Sequence, residues 1–252
     1  VGVDIFFVIS GFLITQIITN DLRDHTFSFT TFYAHRIRRI FPALFVLLIG
    51  TAFAAVLFLG PTPYYDFFKA FRYASFQGSN FLFAREVDYF KLNADPSPLL
   101  HTWSLGVESQ FYLIWPILLM LAHRWVPQKW TPLFLAVVTF ISLGTSEYLV
   151  QTNTRLGFYM LPSRAWELSI GGLAAILPKL SLRSSLSMLE AWIGAGLMIL
   201  AIFISRETHF PGLHAVPVCL GTALVLYAGH THPGFVHRLL AIAPLNFVGR
   251  IS

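Results

Sequence analysis

The sequence predicts an all-α fold, a polytopic bundle of transmembrane helices, on three observations. First, its 252 residues are 56% hydrophobic and only 12% charged, about half the charged share of a soluble domain. So few charges cannot cover a globular surface, and the chain needs lipid as solvent. Second, apolar runs approaching the roughly 20 residues needed to cross a bilayer recur along its length. Third, the Lys and Arg residues fall in short clusters between those runs, as at membrane edges. The net charge of +5 is therefore read as membrane topology, and nucleic acid is not an expected partner.

Seven segments qualify as spans: roughly 1–19, 41–60, 101–122, 132–150, 165–180, 190–205 and 213–229. Lipid offers no partner to an unpaired amide, so each is expected to be helical. None alternates in the manner of a barrel strand. Segment 64–83 carries Asp66, Lys69 and Arg72 and is predicted to lie in the interface, because charges at the bilayer centre are costly. Arg36-Ile37-Arg38-Arg39 is the densest basic cluster and is placed in the cytoplasm by the positive-inside rule. The 61–100 stretch then lies outside. One membrane domain over 1–252 is expected, without internal repeats. The start at Val1 and the stop at Ser252 read as cuts within a longer protein. Cys219 lies in an apolar run and is expected only to fill space.

His101, Ser104, Glu108, Tyr112 and Trp115 are spaced 3, 4, 4 and 3 apart, so on a helix they form one stripe. A polar stripe inside a span faces protein or a wet cavity. Glu108, about two turns in, has two readings: a functional carboxylate or part of a buried structural network paired to an arginine. Arg36 and Arg39 share a helix face. They suit a polyphosphate donor such as coenzyme A and equally an anchor on anionic lipid. Asp4 is expected to cap the first helix at the outer interface, and Gly11 to permit close packing. Arg164 and Glu167, three apart, are expected to pair locally, with a substrate contact as the alternative for Arg164. Gly171-Gly172 should admit a neighbouring backbone. His230, His232 and His237 read as a solvated turn rather than a metal site. The chain has no Gly-x-Ser-x-Gly elbow and no phosphate loop.

Taken together, three motifs resemble the acyltransferase-3 family of bacterial membrane O-acyltransferases: Gly2-Val3-Asp4-Ile5-Phe6-Phe7-Val8-Ile9-Ser10-Gly11-Phe12-Leu13-Ile14, then Phe32-Tyr33-Ala34-His35-Arg36-Ile37-Arg38-Arg39-Ile40-Phe41-Pro42-Ala43, and His101-Thr102-Trp103-Ser104-Leu105 through Glu108 and Phe111-Tyr112. Weaker matches run through Arg164 to Gly172, Phe210-Pro211-Gly212 and Phe247 to Ser252. The resemblance implies a multi-pass protein of the bacterial inner membrane. It would transfer an acyl group, acetyl for preference, from cytoplasmic acyl-CoA to a hydroxyl of lipopolysaccharide O-antigen, peptidoglycan or exopolysaccharide. It implies that Arg36 and Arg39 hold the donor, that Glu108 and His101 serve the chemistry, and that Trp103, Ser104, Tyr112 and Arg164 contact substrate. It also implies an earlier helix bearing a catalytic histidine, with further helices after Ser252, so that these 252 residues alone would be inactive. No bound cofactor or metal is expected, acyl-CoA being a substrate. A transporter or flippase of glycan precursors is the rival reading, and inverted repeats would have favoured it.

Overall fold

The computed structural model describes residues 1–86, 97–178, 184–204 and 210–231. Among them every regular element is helical. In chain order these are α1 (Gly2–Arg23), α2 (Phe29–Phe58), α3 (Pro61–Ser75), α4 (Ser79–Glu86), α5 (Thr102–Trp125), α6 (Thr131–Thr152), α7 (Thr154–Tyr159), α8 (Leu161–Ile176), α9 (Ser184–Ile204) and α10 (Val216–Thr231). Five of them, α1, α2, α5, α6 and α9, are long and apolar enough to cross a membrane. The segments predicted at 165–180 and 213–229 appear as α8 and α10, with 16 residues each. At 1.5 Å per residue they are about 24 Å long. The chain is a multi-pass helical bundle.

The largest departures from the sequence reading are at α2 and at segment 64–83. α2 begins at Phe29, twelve residues before the predicted span, so the basic cluster lies inside the helix rather than ahead of it. The charges at Arg36, Arg38 and Arg39 keep those residues out of an apolar window, while the helix face expected for Arg36 and Arg39 is part of α2, and a bundle tolerates the internal Pro42. Segment 64–83 is not one helix. It breaks at Phe76–Gly78, where Gln77 takes φ 54°, into the end of α3 and all of α4. Neither piece reaches across a bilayer by length. The Lys69 ammonium donates to Glu86 and so ties α3 to α4. That bond holds the Lys69 pKa above its ordinary value.

α1 and α8 form the centre of the bundle. A Cβ added at Gly11 would stand 1.8 Å from the Leu168 carbonyl oxygen, and one at Gly171 would stand 2.0 Å from the Val8 carbonyl oxygen. The two backbones touch where each helix presents glycine, as small-residue packing in lipid requires. Gly171→Ala is therefore expected to destabilise the intact protein by about 1–3 kcal/mol through overpacking. Gly144→Ala in α6, with nothing within 4 Å of the new carbon, is the control and is expected to cost nothing. Thermal unfolding in detergent checks both.

α6 is joined to α8 by hydroxyls: Thr139 to Ser169 at 2.9 Å, Ser142 Oγ donating to the Pro162 carbonyl at 2.7 Å, and the Trp166 amide donating to Ser142 Oγ at 2.9 Å. Gln110 on α5 donates to Asn80 on α4, and Asn80 donates to the Tyr159 carbonyl on α7. α2 flanks this core, to which it contributes Phe32, Leu44, Leu48 and Ala55. Its outer face exposes Val46, Phe53 and Phe58, the side chains of a helix in contact with lipid. Cys219 is buried.

Candidate active site

α5 carries the predicted stripe, and the stripe faces α1. Glu108 accepts hydrogen bonds from both the Ser10 and the Tyr112 hydroxyls on the same carboxylate oxygen. Ser10 Oγ and Tyr112 Oη are themselves 3.2 Å apart, which closes a triangle. One turn further on, the Trp115 indole donates to Thr15 Oγ1 at 2.7 Å. Glu108 thus meets hydroxyls and, among the described residues, forms no ion pair with an arginine. That departs from the structural reading, in which an arginine neutralised it.

A cavity of about 590 Å³ opens beside this triangle, between α1, α2 and α5. Ser10, Glu108 and Tyr112 line it together with Arg36, Arg39, His101 and Ser104. Apart from Thr102, its remaining walls are apolar and come chiefly from α1 and α2. The Arg36 guanidinium lies 5.7 Å from the Tyr112 ring centroid and 5.6 Å from that of Phe32. Its Nε is buried without a hydrogen-bond partner. The Tyr33 hydroxyl donates from α2 to the Leu113 carbonyl on α5 at 3.1 Å. Six predicted site residues therefore meet in one space, with two guanidinium groups against a single carboxylate. His101 precedes α5 and is exposed, three turns from Tyr112. Ser104 donates to the His101 carbonyl at 3.2 Å.

Trp103 and Arg164 are not in that space. They face away from it, in a buried cluster on the far side of α1. Arg164, 1% exposed, donates through Nη1 to Asp4 at 2.9 Å and to Glu167 at 2.7 Å, and through Nε to the Phe158 carbonyl at 2.9 Å. Its guanidinium packs over the rings of Trp103, Phe158 and Phe210 at 5.3, 4.6 and 5.5 Å. Asp4 corrects its expected role. It stands in the first turn of α1, fully buried on Arg164, and does not cap the helix. An α1 packed backbone to backbone on α8 carries Asp4 inward with it.

Ser10 and Thr15 join the site although the sequence reading assigns neither a role. The usable signal was a polar or small set, Ser10, Gly11 and Thr15, on adjacent turns of an otherwise apolar run. Among the described residues no three His, Cys, Asp or Glu side chains gather as a metal site would require. His232 and His237 lie outside the described residues, as does the motif at Phe247 to Ser252.

The chain matches a family model described as an acyltransferase domain over residues 1–252. It is 30% identical over 275 residues to the peptidoglycan O-acetyltransferase OatA of Listeria monocytogenes, covering all of this chain and 43% of that one. It is 33% identical over 267 residues to the O-acetyltransferase OatA of Staphylococcus aureus, covering all of this chain and 44% of that one. An uncharacterized protein of Haemophilus influenzae is 34% identical over 239 residues, 89% of this chain and 96% of that one. The chain thus spans under half the length of the two OatA relatives. No solved structure matches it. With the motifs converging on one cavity and the match covering every residue, the chain belongs to the acyltransferase-3 family and is a multi-pass helical membrane protein.

Proposed function

We propose that this chain moves an acyl group, acetyl in the simplest case, from cytoplasmic acyl-CoA to a hydroxyl of a cell-envelope glycan at the bacterial inner membrane. The observation that carries this is the lining of one cavity by Arg36 and Arg39 on α2 and by Glu108, Tyr112 and Ser104 on α5. A pair of guanidinium groups with one compensating carboxylate leaves excess positive charge, which suits the phosphates of coenzyme A. The buried, unpartnered Nε of Arg36 is a donor that such an anion would satisfy. Glu108 would accept a proton or orient the groups around it. His101, at the other end of the cavity, would meet the acceptor. The likeness to the Listeria peptidoglycan O-acetyltransferase favours peptidoglycan over lipopolysaccharide or exopolysaccharide as acceptor.

Arg36→Ala with Arg39→Ala is expected to weaken acetyl-CoA binding to the intact protein at least tenfold, because charge-assisted hydrogen bonds are worth about 1.5–3 kcal/mol each. Equilibrium binding in lipid nanodiscs measures this. Unchanged donor affinity would leave the pair as anchors on anionic lipid and reject their assignment to the donor.

A further inference from the structure

We propose that Ser10 is an acyl-carrying nucleophile: the acyl group rests on Ser10 Oγ between donor and acceptor. The inference relies on the acyl-CoA reading above for its donor. Ser10 lies in an α1 turn whose neighbours are chiefly apolar, yet its hydroxyl lines the cavity and donates directly to Glu108. A serine hydroxyl on a carboxylate, with a second hydroxyl 3.2 Å away, is the arrangement of a nucleophile with its base and an orienting group. Tyr112 donates to the same carboxylate oxygen and so fixes it toward Ser10. Arg36, beside Tyr112, brings positive charge to the cavity wall, where a carbonyl oxygen would become anionic.

Depth and volume also favour a carrier. Ser10 stands eight residues into the 22-residue α1, about 12 Å from one end and about 20 Å from the other. It is within reach of groups entering from either side. A cavity of about 590 Å³ matches one ligand of ordinary size, which suits donor and acceptor visiting in turn.

The steps balance. Ser10 Oγ attacks the thioester carbonyl while its proton passes to Glu108. The C–S bond breaks, and the departing thiolate takes that proton and leaves as free coenzyme A. The glycan hydroxyl then attacks the seryl ester and gives its proton to Glu108. The C–Oγ bond breaks, and the proton returns to Ser10. The net change is one thioester consumed, one glycan ester formed and an unchanged enzyme.

The test uses the intact gene product in membrane vesicles with radiolabelled acetyl-CoA and no glycan acceptor, quenched in acid. The expected result is about one acetyl group per protein, mapped by mass spectrometry to the peptide holding Ser10 and chased off by adding peptidoglycan fragments. Ser10→Ala should lower both label and transfer at least a hundredfold. Ser10→Cys, close in size, should keep a label that neutral hydroxylamine now removes as a thioester, and so separates lost chemistry from lost folding. Transfer by the wild type without a covalent label overturns the proposal and leaves the acyl-CoA reading standing. So does a label on another residue, or Ser10→Ala transferring within threefold of wild type. No release of coenzyme A from the wild type, even with acceptor present, overturns the proposal and the acyl-CoA reading together.

Discussion

Glu108→Ala in the intact protein is expected to abolish glycan acetylation, a loss of at least a hundredfold, while the protein still accumulates in the membrane. The rate expectation follows from position. Among the described residues Glu108 is the one carboxylate lining a cavity that also holds two guanidinium groups and the hydroxyls of Ser10, Thr102, Ser104 and Tyr112, and a positioned proton acceptor contributes about 10²–10⁴-fold. The folding expectation follows from its partners. Removing the carboxylate strands only the hydroxyls of Ser10 and Tyr112, at roughly 1 kcal/mol each, and both face the cavity. No ion pair is broken, because among the described residues Glu108 forms none. Glu108→Gln separates charge from shape. It keeps an oxygen to accept from Ser10 but cannot take its proton, so it should lose transfer nearly as completely. Ester-linked acetate released by mild base from purified envelope glycan is the measurement. Wild-type acetylation in Glu108→Ala would remove Glu108 from the chemistry altogether.

The same carboxylate illustrates what the sequence could and could not reveal. The 3-4-4-3 spacing from His101 to Trp115 identified a stripe that must avoid lipid, and periodicity alone carries that information. It could not say which helix the stripe would meet. That partner, α1, is determined by Gly11 and Gly171 bringing α1 and α8 to backbone contact, a relation between residues 160 positions apart. Ser10 entered the site only through that packing. The span count shows a similar limit. Hydropathy found α8 and α10 as apolar stretches, but polar residues that serve the interior, such as Arg164 and Glu167, thin the apolar signal of a short buried helix. On α2 the arginines set the predicted span to begin at residue 41, because a hydropathy window treats charge as an end, whereas α2 runs from Phe29 and turns Arg36 and Arg39 toward a cavity.

Arg164→Ala is expected to have the largest effect on folding, a loss of about 3–5 kcal/mol, the cost of removing one partner from a buried charge cluster. Arg164 joins α1 through Asp4, its own helix through Glu167, and α7 through the Phe158 carbonyl. It also packs against Trp103 of α5 and Phe210, just before α10. Its removal leaves Asp4 and Glu167, both fully buried, as two carboxylates without their guanidinium. Arg164→Lys should recover only part of the loss, since an ammonium cannot reproduce the forked contacts to two acids and a carbonyl. An apolar replacement of the whole cluster, Asp4→Leu with Arg164→Met and Glu167→Leu, is expected to fold better than Arg164→Ala alone, because buried ion clusters exchanged for packed apolar groups are often neutral or stabilising. Thermal unfolding and the monodisperse fraction in detergent rank the three variants. A triple variant that folds yet keeps acetyl-CoA binding would show that the cluster secures the bundle without touching the donor. Arg164→Ala folding like wild type would mean that the glycine contacts of α1 and α8 hold the centre of the bundle without it.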